Sequence, residues 1–344
     1  MGLFDKLFGK KKNTEPGLRK VFAEAELKKA ENGVVTYELK HPGLMLTFGV
    51  AELLFHSFPG KLDAESLKRK LGDDNGNVTV EEHNGVLVVT FKNVSLLIKD
   101  QPHPMQVLIE VAAFTPGFDG KGDLEDEIII DEAAADPLAL LMRDAAEEVR
   151  SCRKGIRIFE KGAGLPGGLR LALLARVTRA ACLALNPSHL YWRSAYRLVD
   201  IPEFLRVAED CDMAELTPLI TTLRMGRVAN GEEGDCIADT LGLFPFGLPD
   251  VQLHFKKLPP DVAGAFVIGT AHKLWSRGLF AHNGESISLE VKRKDLPEDF
   301  FVEYQQPLLA PGERVVLALD PGKEFAASKP KEMKEPEKKS EASA

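Results

Sequence analysis

The sequence predicts an α+β protein built as two-layer, helix-on-sheet lobes with mixed, largely antiparallel sheets. Three observations predict it. Short apolar runs that alternate with polar residues recur between Gly, Pro and Asn turns, the pattern of half-buried strands. Longer segments with apolar residues three and four apart fall between them and read as helices that cover a sheet. The stretch CIADTLGLFPFGLPDVQLHF, residues 236–255, joins two strands, Asp239 to Leu243 and Leu248 to Phe255, through Gly242, Gly247 and Pro249. Glycine admits positive φ and proline fixes φ, so this apolar corner should be compact, interior and covered on both sides.

A chain of 344 residues, 44% of them hydrophobic, can bury one large core or two smaller ones. No apolar run reaches the roughly 18 residues of a spanning helix, and the N-terminus lacks the long apolar core of a secretory signal, so a cytoplasmic protein is expected. Cys152, Cys182, Cys211 and Cys236 form no C-x-x-C pair. They read as free, small buried hydrophobes in a reducing compartment. A net charge of −8, with arginines in pairs instead of clusters, argues against nucleic acid as a partner.

In chain order, residues 1–22 read as a basic amphipathic leader and linker. Leu3, Phe4, Leu7 and Phe8 share one helical face, with Lys10, Lys11 and Lys12 behind them. That arrangement suits weak, reversible contact with an anionic membrane surface, at the inner face of the membrane. An N-terminal lobe, 23–118, opens with FAEAELKKAENG as a charged helix stopped by Asn32 and Gly33. Strands VVTYEL and LMLTFGVAELLF follow, then a helix capped by Asp63 and stopped by Gly72. A hairpin turns at Asn84 and Gly85. His41, His56, His83 and His103 fall in or beside turns without a common face, so no metal site is expected from them.

The C-terminal lobe, 119–322, begins in an acidic, glycine-rich stretch whose acids lack the register of a calcium loop, so it reads as a solvated linker. A helix over ADPLALLMRDAAEEVRSCR and a strand, GIRIFEKG, come next. Gly162, Gly164 and Gly167 then satisfy G-x-G-x-x-G before the helix GLRLALLARVTRAACLAL. Pro166 removes a donor from that loop, and no Asp or Glu lies between Gly162 and Asp200 to hold a ribose hydroxyl, so no cofactor is expected. The helix reads as mostly buried, with Arg170, Arg176, Thr178 and Arg179 on one open side and Asn186 at its end. The strand HLYWRSAYRLV should pair in parallel with the preceding one by a right-handed crossover. After the helix PEFLRVAEDC and the strand TLRMGRV comes the corner, and the segment from Asp261 to Arg277 should cover it. GESISLEV and ERVVLALDP read as the last strands, and 323–344, with six lysines and five glutamates, as a disordered tail.

Three runs carry a resemblance: ARVTRAACLALNPSHLYWRSAYRLVDIPEFL, ADTLGLFPFGLPDVQLHF and GTAHKLWSRGLFAHNGESISL. In that order they resemble the uncharacterised bacterial family catalogued as domain of unknown function 4261. The D-T-x-G-L corner followed by G-x-x-x-L is the most telling piece. The resemblance covers the C-terminal half and implies a cytoplasmic α+β domain. It brings no activity, cofactor or catalytic residue.

Two functions remain open. The absence of a nucleophile elbow, H-E-x-x-H, P-loop or paired-cysteine pattern points to a non-catalytic binding or adaptor module with an unidentified protein partner. The alternative is a hydrolase-type or metal-dependent enzyme using Asp239, Asp250, His254, His272 and His282, whose carboxylates and imidazoles could do acid and base work or hold a metal. Convergence of at least three of these five on one cleft would favour catalysis.

Overall fold

The structure is a computed structural model that describes residues 18, 20–43, 47–57, 60–72, 76–110, 148–162, 164–228, 232–288, 296–308 and 314–327. Among them the chain forms two mixed sheets with helices packed on them, the predicted α+β class. The first sheet takes β1 (Glu24–Glu31), β2 (Val34–His41), β3 (Gly49–Phe55), β4 (Val78–His83), β5 (Val86–Ile98), β6 (Gln101–Glu110), β7 (Lys154–Glu160), β8 (His189–Trp192) and β9 (Arg197–Val199). Their order is β1-β2-β5-β6-β7-β3-β8-β9. The long β5 holds β4 along its first half and β2 along its second. Because β7, β8 and β9 lie past residue 118, this sheet draws strands from both expected lobes. The divide between sheets falls between β9 and the next strand.

Several elements differ from the sequence reading. Glu24–Glu31 is a strand, not a helix, and Asn32 and Gly33, with φ of 52° and 76°, turn it into β2. Asn-Gly with positive φ serves a tight hairpin as well as a helix stop. Pairing with β2 supplies backbone partners, whereas a short helix of this composition is marginal alone. The expected parallel pair is β7 and β8, but β3 lies between them, antiparallel to both. The helix capped by Asp63, α1 (Ala64–Leu71), forms as read, with Asp63 Oδ1 accepting from Ser66 N at 2.6 Å. The Asn84–Gly85 hairpin also forms.

The long helix, α2 (Gly167–Leu185), packs on β3 and β7 and ends at left-handed Asn186. Two of its polar residues, Arg170 and Thr178, are buried instead of facing an open side. Arg170 is tolerated there because its guanidinium meets the buried Glu160 carboxylate at 2.7 Å and donates to Thr47 and to the Pro245 carbonyl. α3 (Ile201–Asp210) and α4 (Met213–Ile220) lead to the second sheet.

That sheet takes β10 (Thr222–Arg227), β11 (Cys236–Leu241), β12 (Asp250–Phe255), β13 (Ser286–Ser288), β14 (Asp299–Gln305) and β15 (Val316–Asp320), in the order β10-β11-β12-β15-β14-β13. β14 adds to the expected final strands. Its sequence DFFVEYQ alternates exposed and buried residues along most of its length, as one covered face requires. The tryptophan-bearing helix, α5 (Pro260–Arg277), packs on β10, β11 and β12. Trp275 belongs to its buried face. The corner is interior as expected. Gly242 has φ of 123°, and a Cβ there would meet the Ile220 carbonyl at 2.9 Å. Phe246 lies 5.2 Å from Trp275 and 6.5 Å from Trp192, ring to ring, so the corner joins the two sheets through one apolar core.

At the ends, Leu18, Val21 and Phe22 of the leader-linker span are buried in that core. Lys323–Phe325, inside the expected tail, forms a 3-10 turn, and Ala326 bridges to Phe255. Residues 1–12, with the proposed membrane contacts, the acidic stretch at 115–132 and most of the helix before Cys152 lie outside the described residues. No helix among the described residues is long and apolar enough to cross a membrane.

Candidate functional site

Alternation along β12 sends Val251, Leu253 and Phe255 to one face and Asp250, Gln252 and His254 to the other. The strand registers extend that second face into a row across five strands: Arg224, Asp239, Gln252, Ala318 and Glu303. α5 covers the opposite face, since a Cβ on its Gly264 would meet Leu223, the neighbour of Arg224. The polar row therefore lies away from the helix.

At one end the row is closed by ion pairs. Asp239, fully buried, accepts from Arg224 Nε at 2.9 Å and Nη2 at 2.6 Å, and from Arg314 Nη2 at 2.7 Å. Arg314 also reaches Asp250 at 3.3 Å, and Asp250 accepts from Leu243 N at 3.1 Å. Two carboxylates are thus matched by two guanidiniums, as burial of charge demands. Burial pushes the Asp250 carboxyl up to about 6, against the opposing pull of Arg314.

Toward β14 the same face opens into a cleft of about 770 Å³, lined by Gln252, His254, Asn283, Phe301, Glu303 and Leu308 among others. Gln252 is 1% exposed; its Oε1 accepts from Leu308 N at 3.0 Å, while its Nε2 is buried without a partner. Two residues on, His254 Nε2 is likewise buried and unpartnered. Burial lowers the His254 pKa, with Asp235 opposing. Phe301 and Leu308 expose large apolar side chains at 53% and 40%. Glu303 and Asp320 add carboxylates to the lining. Unpaired amide and imidazole beside apolar surface is the chemistry of holding a ligand, since a buried polar atom without a partner costs about 1–3 kcal/mol until one arrives.

The five sequence candidates are only partly brought together. Asp239 and Asp250 share Arg314, but neither lines the cleft. His254 does. His272 sits on α5, across the sheet from it, and His282 lies on an exposed turn where its N–H donates to Glu285 at 2.8 Å. Three of the five do not converge on one cleft. The glycines of the G-x-G-x-x-G loop are packed against protein atoms: Gly162 against Met105 and the Glu160 carboxylate, Gly164 against Leu39 and Leu96, Gly167 against Leu248. The Gly162 N–H is already taken by Glu160, a negative group where a pyrophosphate would need donors.

Sequence reasoning missed a second grouping. His56, Cys152 and His189 bring their ligand atoms within 4.8 Å of one another, although they are scattered in sequence. Only the strand order, with β3 between β7 and β8, reveals it.

Searches against protein-family models, curated proteins and solved structures each found no match. The class defined by the fold and the cleft is an α+β protein of two mixed sheets, one of which presents a partly open polar and apolar face.

Proposed function

We propose that this is a non-catalytic binding module whose cleft on the second sheet holds a segment of a partner protein. The observation that carries the reading is the pair of buried, unpartnered side-chain atoms, Gln252 Nε2 and His254 Nε2, on one cleft floor. A peptide backbone offers carbonyls to such groups, and the exposed Phe301 and Leu308 offer cover for an apolar side chain. Glu303 and Asp320 favour a segment that also carries lysine or arginine. The likeness to domain of unknown function 4261 fits a cytoplasmic module of this kind. The paired state of Asp239 and Asp250 weighs against the catalytic alternative.

The test is site-specific photo-crosslinking in cells. A benzoylphenylalanine replacing Phe301 is expected to capture a discrete partner peptide, and a Gln252→Ala, His254→Ala background is expected to lose it. A crosslinker replacing the exposed Leu27 of the first sheet serves as the control. Equal capture at both positions, or none at residue 301, would sink the reading.

A further inference from the structure

The first sheet carries an independent grouping that owes nothing to the cleft. β7 and β8 both run antiparallel to β3, so the chain leaving β3 and the chain entering β7 and β8 meet at one end of the sheet. His56 follows the last residue of β3, Cys152 lies two residues before the start of β7, and His189 is the first residue of β8. Topology alone therefore gathers two imidazoles and a thiol that are far apart in sequence.

The local geometry is close. Cys152 Sγ lies 3.9 Å from His56 Nδ1, and the two imidazole rings meet edge to face with centroids 5.5 Å apart. His189 Nε2 is buried without a hydrogen-bond partner, and the Glu148 carboxylate stands 3.8 Å from it. Glu148 lies within the helical turn described at 148–151 and Cys152 directly follows it, so both ride on one short piece of backbone. Ligands on a tetrahedral zinc, at about 2.0–2.3 Å from the metal, lie roughly 3.3–3.7 Å apart; the three ligand atoms, now within 4.8 Å of one another, would draw together by up to about an ångström, and the exposed Glu148 carboxylate would swing in beside them. Cys152, 2% exposed, is too enclosed to attack a substrate as a free nucleophile.

We infer that His56, Cys152 and His189, with Glu148 as the fourth ligand, form a site for a divalent transition metal of the zinc class. Sulfur and imidazole donors select such a borderline cation over magnesium or calcium, which take oxygen. Four protein ligands close the coordination shell, so the metal is structural and clamps the turn at 148–151 to the ends of β3 and β8. Binding exchanges the His56 Nδ1 contact with Ser151 Oγ, now 3.1 Å, for the metal, and the Cys152 thiol proton passes to solvent.

The experiment is cobalt titration of the full-length protein after treatment with a chelator. Visible bands of tetrahedral cobalt and a thiolate-to-cobalt charge-transfer band are expected, with zinc displacing both. Cys152→Ser should remove the charge-transfer band. His56→Asn, at an exposed position that does not test the core, should weaken cobalt binding by about tenfold or more. Cys236→Ser, on the second sheet, should change neither. If Cys152→Ser misfolds by circular dichroism, His56→Asn decides the matter alone. Absence of cobalt binding at micromolar metal, or a spectrum that His56→Asn leaves unchanged, overturns the site.

Discussion

In the second sheet, Asp239, Asp250, Arg224 and Arg314 sit together in the protein interior, and each carboxylate has a guanidinium assigned to it. In the first, His56, Cys152 and His189 gather at the strand ends, and His189 leaves a buried nitrogen without a hydrogen-bond partner. The comparison separates two meanings of a polar cluster. Charges that satisfy one another make structure, and a buried charge persists only on those terms. Donors and acceptors without partners hold room for something that the chain does not itself supply. By that criterion Asp239 and Asp250 belong with the scaffold, whereas His189, like Gln252 and His254 in the cleft, keeps a buried nitrogen without a hydrogen-bond partner.

The sharpest way to break this contrast is Asp239→Asn. It leaves Arg224 and Arg314 short of a counter-charge in the interior and is expected to cost about 3–5 kcal/mol in urea unfolding. A loss below 1 kcal/mol would mean that the network is not structural. Next in size is a pH effect. Burial raises Asp250 from a usual 3.8 to about 6, so its contribution to stability is whole below about pH 4 and is lost as pH rises through about 6. Between pH 4 and 7 the wild type should therefore lose about 2 kcal/mol relative to Asp250→Asn. Parallel stability curves for the two proteins would refute the raised value. The smallest effect probes the contact between the helices of the two sheets. A Cβ on Gly168 of α2 would collide with the Trp275 carbonyl of α5, so Gly168→Ala should force the helices apart and cost about 1–3 kcal/mol. Thermal unfolding of that variant at the wild-type midpoint would show the approach to be slack.

What the sequence disclosed followed from local physics. The Asp63 cap, the Asn84–Gly85 hairpin, the end of α2 at Asn186 and the buried corner are each set by residues within a few positions. Failures came where distant partners decide. Glu24–Glu31 carries helix-forming residues and becomes a strand because β2 is there to pair with it. Arg170 looked like a surface residue because Glu160, its counter-charge, lies on another element. His254 was the one proposed site residue that reaches the cleft, and period-2 alternation placed it beside Gln252. The approach of His56, Cys152 and His189 depends on β3 entering between β7 and β8. No spacing rule encodes that insertion.

The aromatic run from Phe204 through Trp192 and Phe246 to Trp275 passes from one sheet to the other without a polar break. A fragment cut after Val199 would keep its strands but strip Trp192 of this lining, presenting a wide oily wound to water. Neither half is a finished object, and shortened versions of the chain would need to retain both to remain dispersed in solution.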